Sequence, residues 1–129
     1  MLRDPPTIDR VNDAGGDSAP SVDDVLRAAL APIAPQIDAA FIYGPTARNM
    51  ATAHGHIDVM IIGRGISYTE VIPLFIAAAK YLGRNITPSV YCAADWRRKL
   101  AGGNRVILAV LKQQKIFLVG SADGIPQPR

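Results

Sequence analysis

Cysteine is almost absent from the chain. Cys92 stands alone, which excludes an internal disulfide and any cysteine-based zinc cluster. With no His, Asn or Lys beside it in sequence, it reads as a small apolar residue at a strand end rather than a nucleophile. Histidine is nearly as scarce. His54 and His56 are the only two, so the run His54-x-His56-x-Asp58 lacks the further ligands that a metallo-hydrolase centre needs. Aromatic residues make up 6% of the sequence, with no stacking pattern and no reading helix, so nucleic acid is not an expected partner. No apolar run reaches the length of a membrane span. The stretch Met1 to Pro6 lacks the apolar core of a secretion signal, and a cytoplasmic location is the expectation. No internal repeat is visible.

The chain has 129 residues, enough for one domain with a proper core, and 49% of them are hydrophobic. Its net charge of +3 is unevenly spread: residues 64 to 115 carry nine Lys or Arg and two acids. Arg84, Arg97, Arg98, Lys99, Arg105, Lys112 and Lys115 are candidates to frame an anionic ligand or an acidic partner, against the plainer alternative of a solvated helix face.

Residues 1–20 hold four Asp and the Gly15-Gly16 pair with almost no apolar periodicity, and read as a flexible tail. Ser21 then caps a helix with acids in its first turn. Val22, Val25, Leu26, Ala29, Leu30 and Ile33 form its apolar face, and Pro32 and Pro35 end it. A strand is expected over Asp38 to Tyr43. A second helix runs from Tyr68 to Leu82, with Val71, Ile72, Phe75, Ile76, Ala79 and Leu82 on one side and Gly83 as its stop. Next come a strand over Ile86 to Tyr91, a short basic helix near Asp95 to Leu100 anchored by Trp96, and a helix near Asn104 to Leu111. The last strand is Lys115 to Val119, and the residues from Gly124 read as a frayed tail. The domain is placed at 21–124, with tails 1–20 and 125–129.

The chemistry centres on one stretch. An apolar run, Phe41-Ile42-Tyr43, ends in Gly44. A small-residue loop carries Arg48, and a second apolar run opens with His56-Ile57-Asp58. Two strands joined in this way deliver Gly44 and Arg48 to the same sheet end as His56 and Asp58. Side chains two apart on a strand share a face, so His54, His56 and Asp58 can point together, a plausible site for phosphate and metal.

This stretch resembles the polymerase-beta-like nucleotidyltransferase superfamily, in particular its minimal prokaryotic nucleotidyltransferases. Their motif is Gly-Ser, a few residues, Arg-Gly, then Ser-Asp-x-Asp opening the next strand. Gly44 matches the Gly and Pro45 stands in the place of the Ser. Arg48 matches the Arg, and Asn49 replaces the second Gly. Gly55 replaces the motif Ser, His56 the first metal-binding Asp, and Asp58 is retained. The runs Tyr81 to Tyr91, Asp95 to Leu100 and Lys115 to Gly120 are similar to one subgroup, some members of which carry the domain behind a winged helix. The residues before Ser21 are expected to hold none.

The resemblance implies an α/β (α+β) nucleotidyltransferase fold, a small mixed β-sheet packed with helices. It implies a triphosphate held by the loop at Gly44, Pro45 and Arg48. It also implies Mg²⁺ or Mn²⁺ at Asp58 and His56, which are the candidate catalytic residues. Pro45 removes a hydroxyl and an amide hydrogen from the phosphate loop. His56 replaces a hard oxygen ligand with an imidazole, shifting preference away from Mg²⁺. The family's third carboxylate has no counterpart in Ile86 to Tyr91. The leading expectation is therefore a weakened or inactive member serving as a binding or regulatory partner, antitoxin-like in a toxin–antitoxin pair, with a helical protein partner or as a homodimer. The alternative is an active enzyme that moves a nucleoside monophosphate from ATP to a protein or small acceptor through Asp58, Arg48 and an adapted His56.

Overall fold

A computed structural model describes residues 21–44 and 56–126. The order of elements is α1 (Val22–Leu30), β1 (Ile37–Tyr43), β2 (Ile57–Gly63), α2 (Tyr68–Leu82), β3 (Ile86–Tyr91), α3 (Ala93–Ala101), α4 (Arg105–Lys112) and β4 (Lys115–Val119). Two short 3-10 helices, Ala31–Gln36 and Ala122–Gly124, complete the set.

The strands form one mixed sheet in the order β3-β2-β1-β4. The pairs β1·β2 and β1·β4 are antiparallel, and β2·β3 is parallel. Parallel neighbours need a crossover, and α2 supplies it. The mixed α/β character with a small sheet agrees with the sequence expectation.

Helices cover both faces. Leu26 and Leu30 of α1 and Val71, Phe75 and Ala78 of α2 pack on Ala40, Ile42, Ile57, Val59 and Ile61. On the opposite face, Trp96 of α3 and Ile107 and Val110 of α4 pack on Ala39, Phe41, Met60 and Ile62. Burial from both sides explains why β1 and β2 read as continuous apolar runs instead of alternating ones.

The helix ends follow the local sequence. Ser21 Oγ accepts from Asp24 N at 3.3 Å, and the proline-bearing segment after Leu30 tightens into the first 3-10 helix. Ser67 and Glu70 form a reciprocal capping box on α2, and Gly83 ends that helix at φ 69°, where a side chain would be strained. Asn104 caps α4 through Ile107 N at 3.1 Å. The edge strands are blunted. Pro88 sits in β3, and Arg27 Nη2 donates to the Phe117 carbonyl of β4 at 3.0 Å.

Three expectations are corrected. Ile76 is 55% exposed, because the stripe that α2 buries runs through Val71, Phe75 and Ala78 and leaves Ile76 turned about 100° away. Ile125, expected in a frayed tail, is 6% exposed and joins the Trp96 cluster, so apolar burial holds the chain down past Gly124. Cys92 is exposed and caps α3, its Sγ accepting from Asp95 N at 3.4 Å. Trp96, in contrast, is fully buried as expected. No helix among the described residues is long and apolar enough to cross a membrane.

Candidate functional site

The site forms where β1 ends and β2 begins. Antiparallel pairing sets Tyr43 opposite Asp58 on one side and opposite Lys115 on the other, and the parallel register sets Asp58 beside Thr87. One rung across the sheet end therefore reads Thr87, Asp58, Tyr43, Lys115. Residues on one rung project from the same face. Here that face is the one carrying Phe41, Met60 and Trp96.

Gly44 closes the end of β1 at φ 80°, a backbone state that favours glycine. A Cβ there would stand 3.1 Å from Gln113 Oε1 and 3.8 Å from Asp58 Oδ2, so the turn, the Gln113 amide and the carboxylate are close neighbours. Gln113 reaches this point because α4 ends at Lys112 and the chain turns directly into β4.

Burial shapes the charges. It pushes the Asp58 carboxyl up from its ordinary value, and the charge of nearby His56 pulls weakly the other way. Burial also raises the Tyr43 phenol; a side-chain hydrogen bond with Ser89 opposes this, and the Asp58 charge and Tyr91 add to it. Lys115 moves down, again through burial. Its Nζ donates to the carbonyls of Leu111 at 2.8 Å and Gln113 at 3.0 Å, and sits 5.8 Å from the centre of the Phe41 ring. An acid raised and a base lowered on one rung mark a partly desolvated strip, the kind of environment that functional sites share.

Aromatic rings floor the strip. Phe41 contacts Tyr43 edge-on at 6.2 Å and Phe117 at 5.3 Å, and Tyr91 meets Trp96 edge-on at 5.8 Å. The strip therefore offers one carboxylate, a phenol, hydroxyls, an amide and the Lys115 ammonium, which already donates to two carbonyls, above an apolar floor. That set suits hydrogen bonding and a single charge contact better than the concentration of anionic oxygens that hard cations require.

Of the residues expected from sequence, Gly44, His56 and Asp58 come together at this sheet end. His56 is exposed and directly precedes β2. Pro45, Arg48 and His54 lie outside the described residues. Of the basic residues, only Lys115 stands on the rung. Arg97, Arg98 and Lys99 lie on α3, where Arg98 pairs with Asp95; Arg105 opens α4 and Lys112 closes it. Arg84 instead helps line a shallow cup with Lys80 and Asn85, at the turn from α2 to β3.

Sequence reasoning missed Tyr43, Ser89, Thr87 and Gln113 as site residues. Tyr43 was visible as the polar-tipped end of an apolar strand, but its neighbours follow only from register. Among the described residues no group of three His, Cys, Asp or Glu is placed to hold a metal ion. Compared with known protein families and with curated proteins, the sequence matches none.

Proposed function

We propose that this chain is a nucleotidyltransferase-like domain acting as a binding or regulatory partner, with its transfer chemistry weakened or lost. Support for the fold half of this reading comes from the antiparallel pair β1 and β2 carrying Gly44 and Asp58 at one end, followed by a parallel β2-α2-β3 unit. The functional half rests on one observation: Asp58 stands on its rung between Thr87 and Tyr43, with no second carboxylate beside it among the described residues.

Nucleotidyl transfer of this type uses Mg²⁺ to bridge phosphate oxygens and neutralise their charge. A bound Mg²⁺ favours several hard oxygen ligands in near-octahedral array. Asp58 supplies one anionic group. His56 offers a nitrogen donor, and the raised Asp58 carboxyl reflects surroundings that resist negative charge. The donor set does not fit a two-magnesium centre. The chain's own residues account better for recognition: Asp58, Gln113 and Tyr43 present acceptors and donors at a sheet end with an aromatic floor. By the resemblance, the expected partner is a helical protein.

Calorimetric titration of ATP, with Mg²⁺ and then Mn²⁺, tests the reading. Wild type should give no divalent-dependent binding, while His56→Asp combined with Pro45→Ser should gain it. Divalent-dependent ATP binding by wild type that Asp58→Ala abolishes would overturn the proposal and favour the active enzyme, moving a nucleoside monophosphate from ATP to an acceptor.

A further inference from the structure

The outer face of α2 is an apolar feature that the candidate site leaves unexplained. This 15-residue helix, about 22 Å long, carries only two charges, Glu70 in its first turn and Lys80 in its last. Its inner stripe is committed to the core. Outside, Pro73, Ile76, Ala77 and Tyr81 face solvent, with Ile76 55% and Tyr81 65% exposed. A helix that is apolar on nearly every side is normally covered on nearly every side. Neither Glu70 nor Lys80 forms an ion pair among the described residues; Glu70 Oε1 accepts from Ser67 N in the capping box, so Oε2 is the oxygen that would meet a partner.

The placement of these residues indicates what covers the face. Glu70 and Lys80 lie five positions either side of Phe75. Pro73 and Ala77 are two positions either side of it, and Thr69 and Tyr81 six. At 100° per residue, Pro73 and Ala77 lie between Glu70 and Lys80 around the helix, so all four share one surface. A twofold axis through the helix midpoint therefore sets Glu70 of one copy against Lys80 of the other, twice. It also stacks Pro73 on Ala77 and Tyr81 over Thr69. Ala77 is small enough to let the two helices approach closely, and antiparallel packing opposes the two helix dipoles favourably. The surface is self-complementary in charge, as an isologous contact requires.

We propose that the outer face of α2 is a homodimer interface, formed by antiparallel pairing of this helix with its copy in a second chain and closed by two Glu70–Lys80 ion pairs. This assignment stands independently of the fate of the transfer chemistry.

Sedimentation equilibrium of the full 129-residue chain tests it across a wide concentration range. Wild type should approach twice the 13.8 kDa chain mass as concentration rises. Ala77→Glu, at the centre of the contact, should weaken association about 30-fold, the scale of an interface hot spot, with its thermal melt unchanged because Ala77 is exposed in the monomer. The decisive arm is a charge exchange. Lys80→Glu and Glu70→Lys should each be largely monomeric alone, since each sets like charges face to face. Mixed in equal amounts they should form a heterodimer, since both pairs become attractive again. A constant single-chain mass in wild type overturns the proposal. So does a dimer indifferent to Ala77→Glu, which would place the contact elsewhere. Failure of the two charge variants to associate on mixing, while both stay folded by circular dichroism, overturns the antiparallel pairing.

Discussion

Trp96 offers a test in which two effects of similar size oppose each other. The side chain is fully buried between α3 and the sheet, edge-on to Tyr91, and its indole Nε1 has no hydrogen-bond partner among the described residues. Trp96→Ala removes nearly the whole side chain from the second core cluster and should cost about 3–5 kcal/mol, the usual range for such truncations. At about 3–4 °C per kcal/mol for a chain of this size, the melting temperature should fall by roughly 10–20 °C. Trp96→Phe behaves differently. It leaves a void of ~40 Å³, worth ~1 kcal/mol at the cavity coefficient of ~24 cal/mol/Å³. It also removes a buried donor whose unmet hydrogen bond costs about 1–3 kcal/mol. Much of the aromatic contact with Tyr91 survives, since Phe keeps a ring in place. The phenylalanine variant should therefore melt within a few degrees of wild type, or above it. Urea denaturation followed by circular dichroism gives both free energies, with an unchanged slope confirming the same folded reference. A loss of 3 kcal/mol or more for Trp96→Phe would refute the reasoning, because it would mean that the indole N–H is satisfied and contributes to stability.

Asp58→Asn should stabilise the protein at neutral pH. Burial raises the Asp58 carboxyl, so its contribution to stability is fully present below the ordinary value of 3.8 and is lost as pH rises through the raised folded value. The gain from the amide should thus appear in melts at pH 7 and vanish near pH 3; a destabilised variant at pH 7 would show that the carboxylate is stabilised by its neighbours instead. Gly63→Ala drives a methyl into the Gln36 carbonyl and places it 2.7 Å from Ile66 Cδ1, and overpacking of that kind should cost about 1–3 kcal/mol in urea titrations. Ser67→Ala removes the Oγ acceptor for Glu70 N while the Ser67 N to Glu70 Oε1 half of the capping box remains, and should cost about 1 kcal/mol, measured the same way; no loss would mean that the remaining half and tertiary packing set that helix start.

Most of the elements were legible from local pattern. The cap at Ser21, the prolines after Leu30, the span Tyr68–Leu82 with Gly83 behind it, and the strand Lys115–Val119 all rest on interactions within a few residues. Burial of Trp96 followed from its size. The pair Gly44 and Asp58 was legible because both flank one connection. The remainder of the site depended on distant parts of the chain.

The amino-acid sequence by itself determined where helices and strands begin and end, because capping, proline geometry and apolar periodicity act over a single turn or strand. It also determined that Asp58 is the one acidic residue between Tyr43 and Gly63. Only the tertiary structure decided what surrounds that carboxylate, since Thr87, Tyr43 and Lys115 meet Asp58 through strand register, and a shift of one residue would have turned each to the other face. It likewise decided which side of α2 is buried. A helix apolar on nearly all sides has no preferred face of its own, so the sheet and α1 selected the Phe75 stripe and left Ile76 to solvent.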